Sequence, residues 1–148
     1  MIRLLALVFV IGCTSIEGDL DVPQADPVTF RTTVYPVLLA DCGFPACHGS
    51  RERFFRVFGP GRTRLAGDTD PYAPATPEEL AESFTRARSM LISPDGVRRS
   101  PLLRKPLAVT AGGAGHEGTD AWGANLYATK QDPHFQALFF WATAAGEP

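Results

Sequence analysis

The chain has 148 residues, 45% of them hydrophobic and 20% charged, with 10 phenylalanines and a formal net charge of −2. This composition excludes a disordered polymer, bounds the protein to one small domain, and lacks the basic excess of a nucleic-acid binder. With 14 glycines and 13 prolines, it predicts a mainly α fold of short helices joined by long Gly/Pro-rich connections.

Arg3 supplies a minimal positive start, and Leu4 to Ile11 is an unbroken apolar run, too short to cross a bilayer as a helix. It ends Val10-Ile11-Gly12-Cys13, followed by Thr14 and Ser15. This resembles a bacterial lipoprotein signal, with Val10 where leucine is usual; an ordinary secretory signal is the alternative. The resemblance implies removal of residues 1–12 and acylation of Cys13, which anchors the chain to a membrane on the periplasmic side. The absence of aspartate just after Cys13 fits outer-membrane sorting in such lipoproteins. Glu17 to Asp26 holds four acids, no base and few apolar residues, so residues 13–27 are expected to form a flexible tether. The domain then covers 28–148.

Thr29 to Ala40 is expected to be the first helix, with Phe30, Val34, Val37 and Leu38 on one face and Pro36 kinking it. It leads into Cys42-Gly43-Phe44-Pro45-Ala46-Cys47-His48. Two cysteines with a histidine directly after the second outline a c-type haem attachment site: both thiols add to porphyrin vinyl groups, and His48 binds the iron as proximal ligand. Four residues separate the cysteines where two are usual. A Cys42–Cys47 disulfide in an exported protein is the competing reading. Zinc is disfavoured because few other cysteines and histidines could complete a tetrahedral set. Arg51, Arg53, Arg56, Arg62 and Arg64 follow against the single acid Glu52. They are expected to be mainly a solvated face, with pairing to haem propionates or to an acidic partner as the alternative.

Phe54, Phe55, Val57 and Phe58 predict an extended segment bounded by the Gly59-Pro60-Gly61 turn, without a site role. Thr76-Pro77-Glu78-Glu79 has the pattern of a capping box opening a helix with Leu80, Phe84, Ala87 and Leu91 inward, ended by Ser93-Pro94-Asp95-Gly96. Ser100 to Leu107 allows one helical turn before Pro106. The glycine-rich stretch Ala111 to Gly118 surrounds His116; it lacks the lysine and spacing of a phosphate loop, and its glycines would allow close approach to something flat. Asp132-Pro133 starts the last helix, with Phe135, Leu138, Phe139 and Ala142 on one face and Gly146 past its end.

A helix, Cys47-His48-Gly49-Ser50, the stretch Ser100 to Leu107, the Gly-Gly-x-Gly-His loop and a closing helix with Phe135, Leu138 and Trp141 together resemble the cytochrome c-like domains of Planctomycetes and related bacteria. The likeness spans roughly residues 28–146. It implies a small cytochrome c-like helical domain with haem c, Cys42 and Cys47 as thioether anchors and His48 as proximal ligand. His116 is the preferred sixth iron ligand, Met90 a weaker candidate and Lys105 more remote; His134 is expected to face solvent. The implied function is single-electron transfer at the cell envelope, with an unidentified redox protein as partner and no enzymatic activity. The alternative is a haem-free structural or binding lipoprotein of the same fold, stiffened by a Cys42–Cys47 disulfide. No Ser-His-Asp or paired-carboxylate arrangement points to a hydrolase.

Overall fold

The computed structural model describes residues 22–116 and 126–145. The expected signal, Cys13, the tether as far as residue 21, Glu117, Gly118 and Gly146 lie outside the described residues. Among the described residues the architecture is helical and loop-rich, and its one extended pairing is an isolated parallel bridge between Leu107 and Tyr127.

The chain comes in along residues 22–26. The acidic composition assigns this stretch to the tether, but here it is docked. Ala25 is buried, the Arg88 Nε donates to the Pro23 carbonyl at 2.9 Å, and the Trp141 indole N–H donates to the Asp26 carbonyl at 2.9 Å. Asp26 then caps α1 (Pro27–Thr29), its Oδ2 accepting from the Thr29 amide. A π-helical turn (Phe30–Val34) and α2 (Tyr35–Asp41) continue the same helix. Pro36 explains the wide turn. It has no N–H, and its ring crowds the carbonyl one turn back, so the backbone expands just before it and the Tyr35 N–H donates to the Phe30 carbonyl. The helix passes through the proline instead of breaking.

Phe30 is the centre of the core. Its ring meets Phe84 at 5.3 Å, Trp141 at 5.4 Å and Tyr35 at 6.0 Å between centroids, in tilted or edge-on arrangements. Trp141 comes from α5 (Pro133–Ala145), which buries Phe135, Leu138, Trp141 and Ala142. Asp132 opens α5 as expected, its Oδ1 accepting the His134 and Phe135 amides at 2.9 and 3.3 Å. Phe84 comes from α3 (Pro77–Ser89), whose Thr76–Glu79 capping box is formed in full. α3 stops at Met90, before the expected Ser93–Gly96 terminus. The last amides tighten to bonds three residues back, and the Met90 carbonyl accepts from Leu102 at 3.1 Å. That bond joins the end of α3 to α4 (Pro101–Arg104), the single turn expected before Pro106.

Between α2 and α3 the long loop from Cys42 to Thr76 has no regular structure. One buried ion pair organises it. Arg64 donates to both carboxylate oxygens of Glu79 at 2.8 Å and to the carbonyls of Asp70, Ala73 and Pro74. Glu79 also accepts the Leu65 and Thr76 amides at 3.0 and 3.1 Å. Burial alone would raise the Glu79 carboxyl; the Arg64 bond and those two amides outweigh it and hold the group below its usual value. Further along the loop, the Tyr35 hydroxyl donates to the Phe58 carbonyl at 2.7 Å and the Phe58 amide donates to the Ser83 hydroxyl at 3.1 Å. Glu79→Gln is expected to lower unfolding free energy by about 3 kcal/mol at neutral pH, measured by urea denaturation, because it leaves a buried guanidinium unmatched. The folded-state value lies below the ordinary 4.5, so the wild-type advantage is complete above that pH and shrinks as pH falls through the folded value. An advantage that persists undiminished in strong acid would contradict this role.

Candidate functional site

α2 ends where the Leu38 carbonyl accepts both the Cys42 and Gly43 amides at 2.9 Å, and the chain then folds back on itself. The Phe44 carbonyl takes the Cys47 amide at 2.8 Å and the Gly49 amide at 2.9 Å, while the His48 amide donates to the Cys42 carbonyl at 2.9 Å. Gly49 has no room for a side chain, since a Cβ would collide with the Gly43 and Phe44 carbonyls. The extended segment beyond then fixes His48 from two sides. Its carbonyl accepts the Val57 amide at 2.9 Å, and its Nδ1 lies 3.0 Å from the Phe55 carbonyl oxygen. A carbonyl only accepts, so Nδ1 carries the proton and Nε2 keeps a free lone pair. Burial pulls the imidazole pKa below its usual value; His116 and Arg53 act in the same direction, and the Phe55 bond opposes them. At neutral pH His48 is thus an uncharged imidazole with its tautomer set.

His48 faces a cavity of about 280 Å³ whose walls are mainly apolar: Leu38 from α2, Leu102 from α4, Leu138 from α5, and Phe55. His116, Met90 and Cys42 line the same cavity. The His48 and His116 rings are perpendicular, with centroids 5.7 Å apart. Cys42 is buried, and its thiol is pushed up to about 12 by burial first, then by Asp41 and Cys47. Arg53, Lys105, Phe54 and Leu126 also line the cavity and are exposed to solvent, so both permanent charges stand at its mouth beside two apolar side chains.

The glycine loop delivers His116 for a different reason from the one expected. Gly112 and Gly115 take φ of 92° and 72°, and a Cβ on Gly113 would collide with the Leu107 carbonyl. Gly113 is therefore a point of close approach to the protein's own backbone.

Four expected site residues thus meet: Cys42, His48, Met90 and His116, with Lys105 at the mouth. Cys47 does not join them; it is exposed and off the cavity wall. Cys42 and Cys47 are not joined to each other in this structure. One sulfur faces the interior and the other solvent. His134 is also away from the cavity: half-exposed, its Nδ1 sits 2.8 Å from Asp41 Oδ2, which also accepts the Tyr127 hydroxyl at 2.8 Å. These contacts tie α5 to the end of α2.

The arginine stretch is mostly not a solvated face. Arg64 is in the buried pair, Arg62 donates to the Leu39 carbonyl and covers the Phe44 ring at 3.9 Å, and Arg56 lies over Phe58. Of the five, only Arg53 lines the cavity. The sequence reading missed Phe54 and Phe55, whose one available signal was an aromatic pair a few residues beyond His48.

Among the described residues no group of three or more His, Cys, Asp or Glu side chains could hold a bare metal ion, and no helix is long and apolar enough to cross a membrane. No family model matches the chain, and neither a curated protein nor a solved structure matches it.

In the ligand-free protein, iodoacetamide at neutral pH is expected to label Cys47 rapidly and Cys42 more slowly by about two orders of magnitude or more, because a buried, protonated thiol is a poor nucleophile. Tandem mass spectrometry of the peptide carrying both residues reads the two rates. Equal labelling in the folded state would contradict the inward placement of Cys42.

Proposed function

We propose that this chain is a small, lipid-anchored c-type cytochrome-like protein that passes single electrons at the cell envelope, with haem held covalently in the cavity described above. The observation that carries this reading is His48. It follows a cysteine, its Nδ1 donates to a backbone carbonyl, and its Nε2 is left for a metal at the wall of an apolar cavity, the arrangement that orients a ligating histidine. His116 supports it by bringing a second imidazole to the same cavity. His48 and His116 are the two imidazoles that would hold the iron of such a group.

The chain's own residues divide the work. His48 and His116 would ligate the iron, and Cys42 would supply a thioether from inside the cavity. Leu38, Leu102 and Leu138 would exclude water from the flat apolar part of the group. Arg53 and Lys105, exposed at the mouth, would meet its carboxylates, and a group longer than the enclosed space extends through that mouth. The group, when bound, supplies a reversible one-electron change at iron, so the protein needs no general acid or base. Met90 is placed on the wall, where a thioether side chain also serves as core filler. Acylation of Cys13 would hold the domain on the periplasmic side of a membrane, in the outer membrane by its sorting residues, and the partner would be another redox protein of the envelope.

Expression with a cytochrome c maturation system is expected to give a coloured protein whose haem stays with the polypeptide after acid–acetone extraction. His116→Ala is expected to turn a six-coordinate low-spin spectrum high-spin, while Met90→Leu leaves it low-spin. A colourless product from a host that matures a control cytochrome would overturn the reading in favour of a haem-free lipoprotein.

A further inference from the structure

We propose, resting on the haem reading above, that a single thioether from Cys42 holds the group and that Cys47 remains a free, solvent-facing thiol in the loaded protein. The cysteines differ in place. Cys42 is buried on the cavity wall, whereas Cys47 is exposed and off it. The loop geometry makes that difference structural. Phe44, Pro45, Ala46 and Cys47 are all exposed, so the two extra residues between the cysteines bulge the chain outward. Arg62 pins the bulge there: its guanidinium covers the Phe44 ring at 3.9 Å while its Nε donates to the Leu39 carbonyl at 2.8 Å. The Phe44 carbonyl fixes the return by accepting the amides of Cys47 and Gly49, and the tight contact at Gly49 leaves no slack. Carrying Cys47 to the wall would require rebuilding these bonds. It would also disturb the His48 amide bond to the Cys42 carbonyl and the Val57 amide bond to the His48 carbonyl, the contacts that aim the imidazole.

The attachment step balances without an oxidant. The Cys42 thiol adds across one vinyl C=C: a carbon–sulfur bond forms, the π bond and the S–H bond break, and the proton ends on the neighbouring vinyl carbon. The second vinyl group would stay unmodified.

The test uses the full chain matured with haem in the cell, as wild type, Cys42→Ser and Cys47→Ser. Native loaded wild type is treated with iodoacetamide, then denatured, extracted with acid–acetone and mapped by tandem mass spectrometry. The expected result is haem mass on Cys42 and an alkyl label on Cys47 in the same peptide, with a pyridine haemochrome band displaced toward that of free protohaem. Cys47→Ser is expected to keep covalent haem and Cys42→Ser to lose it to the extraction solvent. Loaded wild type with no alkylatable Cys47, or with haem mass on both sulfurs, would overturn the inference while leaving the haem reading intact. Wild type without haem, beside a matured control, would overturn both. The labelling of wild type decides the matter even where a serine variant fails to fold.

Discussion

The buried Arg64–Glu79 pair is the constraint on which the rest of this structure depends. The loop between α2 and α3 carries His48 and Phe55 yet forms no helix or strand, so its backbone polar groups must find partners one at a time. Arg64 meets three carbonyls of that loop and both oxygens of a carboxylate rooted in the first turn of α3. Glu79 serves two purposes at once, since the carboxylate that closes the capping box also anchors the loop. A pair buried this deeply adds little net stability compared with a hydrophobic replacement. Its value lies in specifying one path for the chain. An apolar pair would fill the same volume without saying where Asp70, Ala73 and Pro74 must lie.

That path sets the electrostatics of the cavity. Of the groups lining the cavity, the Cys42 thiol is held protonated and His48 unprotonated, each by burial first. The permanent charges, Arg53 and Lys105, stand where water can solvate them. A ligand that suits this gradient is apolar and flat at one end and acidic at the other, with an atom at its centre that accepts nitrogen lone pairs. Haem meets that description, and the proposed electron-transfer role follows from the match in chemistry instead of from the helical fold, which is compatible with many functions.

Local structure was largely legible in the sequence, and the reason is that its causes are local. Thr76 with Glu79, Asp132 with Pro133 and the turn before Pro106 each specify a helix end within a few residues. The apolar spacing of Phe135, Leu138 and Ala142 needs no knowledge of the partner face. The site was half legible. His48 announces itself by following Cys47, with Cys42 six positions before it, but the meeting of His48 and Cys42 with His116 and Met90 depends on contacts between distant segments, such as the Met90 carbonyl to the Leu102 amide. The arginines misled for the same reason. Five basic residues against one acid suggest a solvated face until Glu79, fifteen positions beyond Arg64, is seen to lie against it. The docked stretch before Asp26 was hidden similarly, because what holds it is Trp141 and Arg88 from the other end of the fold.

The stretch from Cys42 to His48 shows how a loop can bulge without moving the histidine that follows it. The residues from Phe44 to Cys47 lie outward, away from the packed Leu38 and Leu138 wall. Once outward, the bulge gains its own fastening in the Arg62–Phe44 stack, and His48 keeps its place because its bonds run to Cys42, Phe55 and Val57, none of which belongs to the bulge. The position of the His48 imidazole and the path of the bulge are therefore uncoupled in this loop. Selection acting on iron ligation would preserve the Phe55 carbonyl and the Gly49 contact, whereas the residues from Phe44 to Cys47 could vary in length and chemistry at little cost to His48.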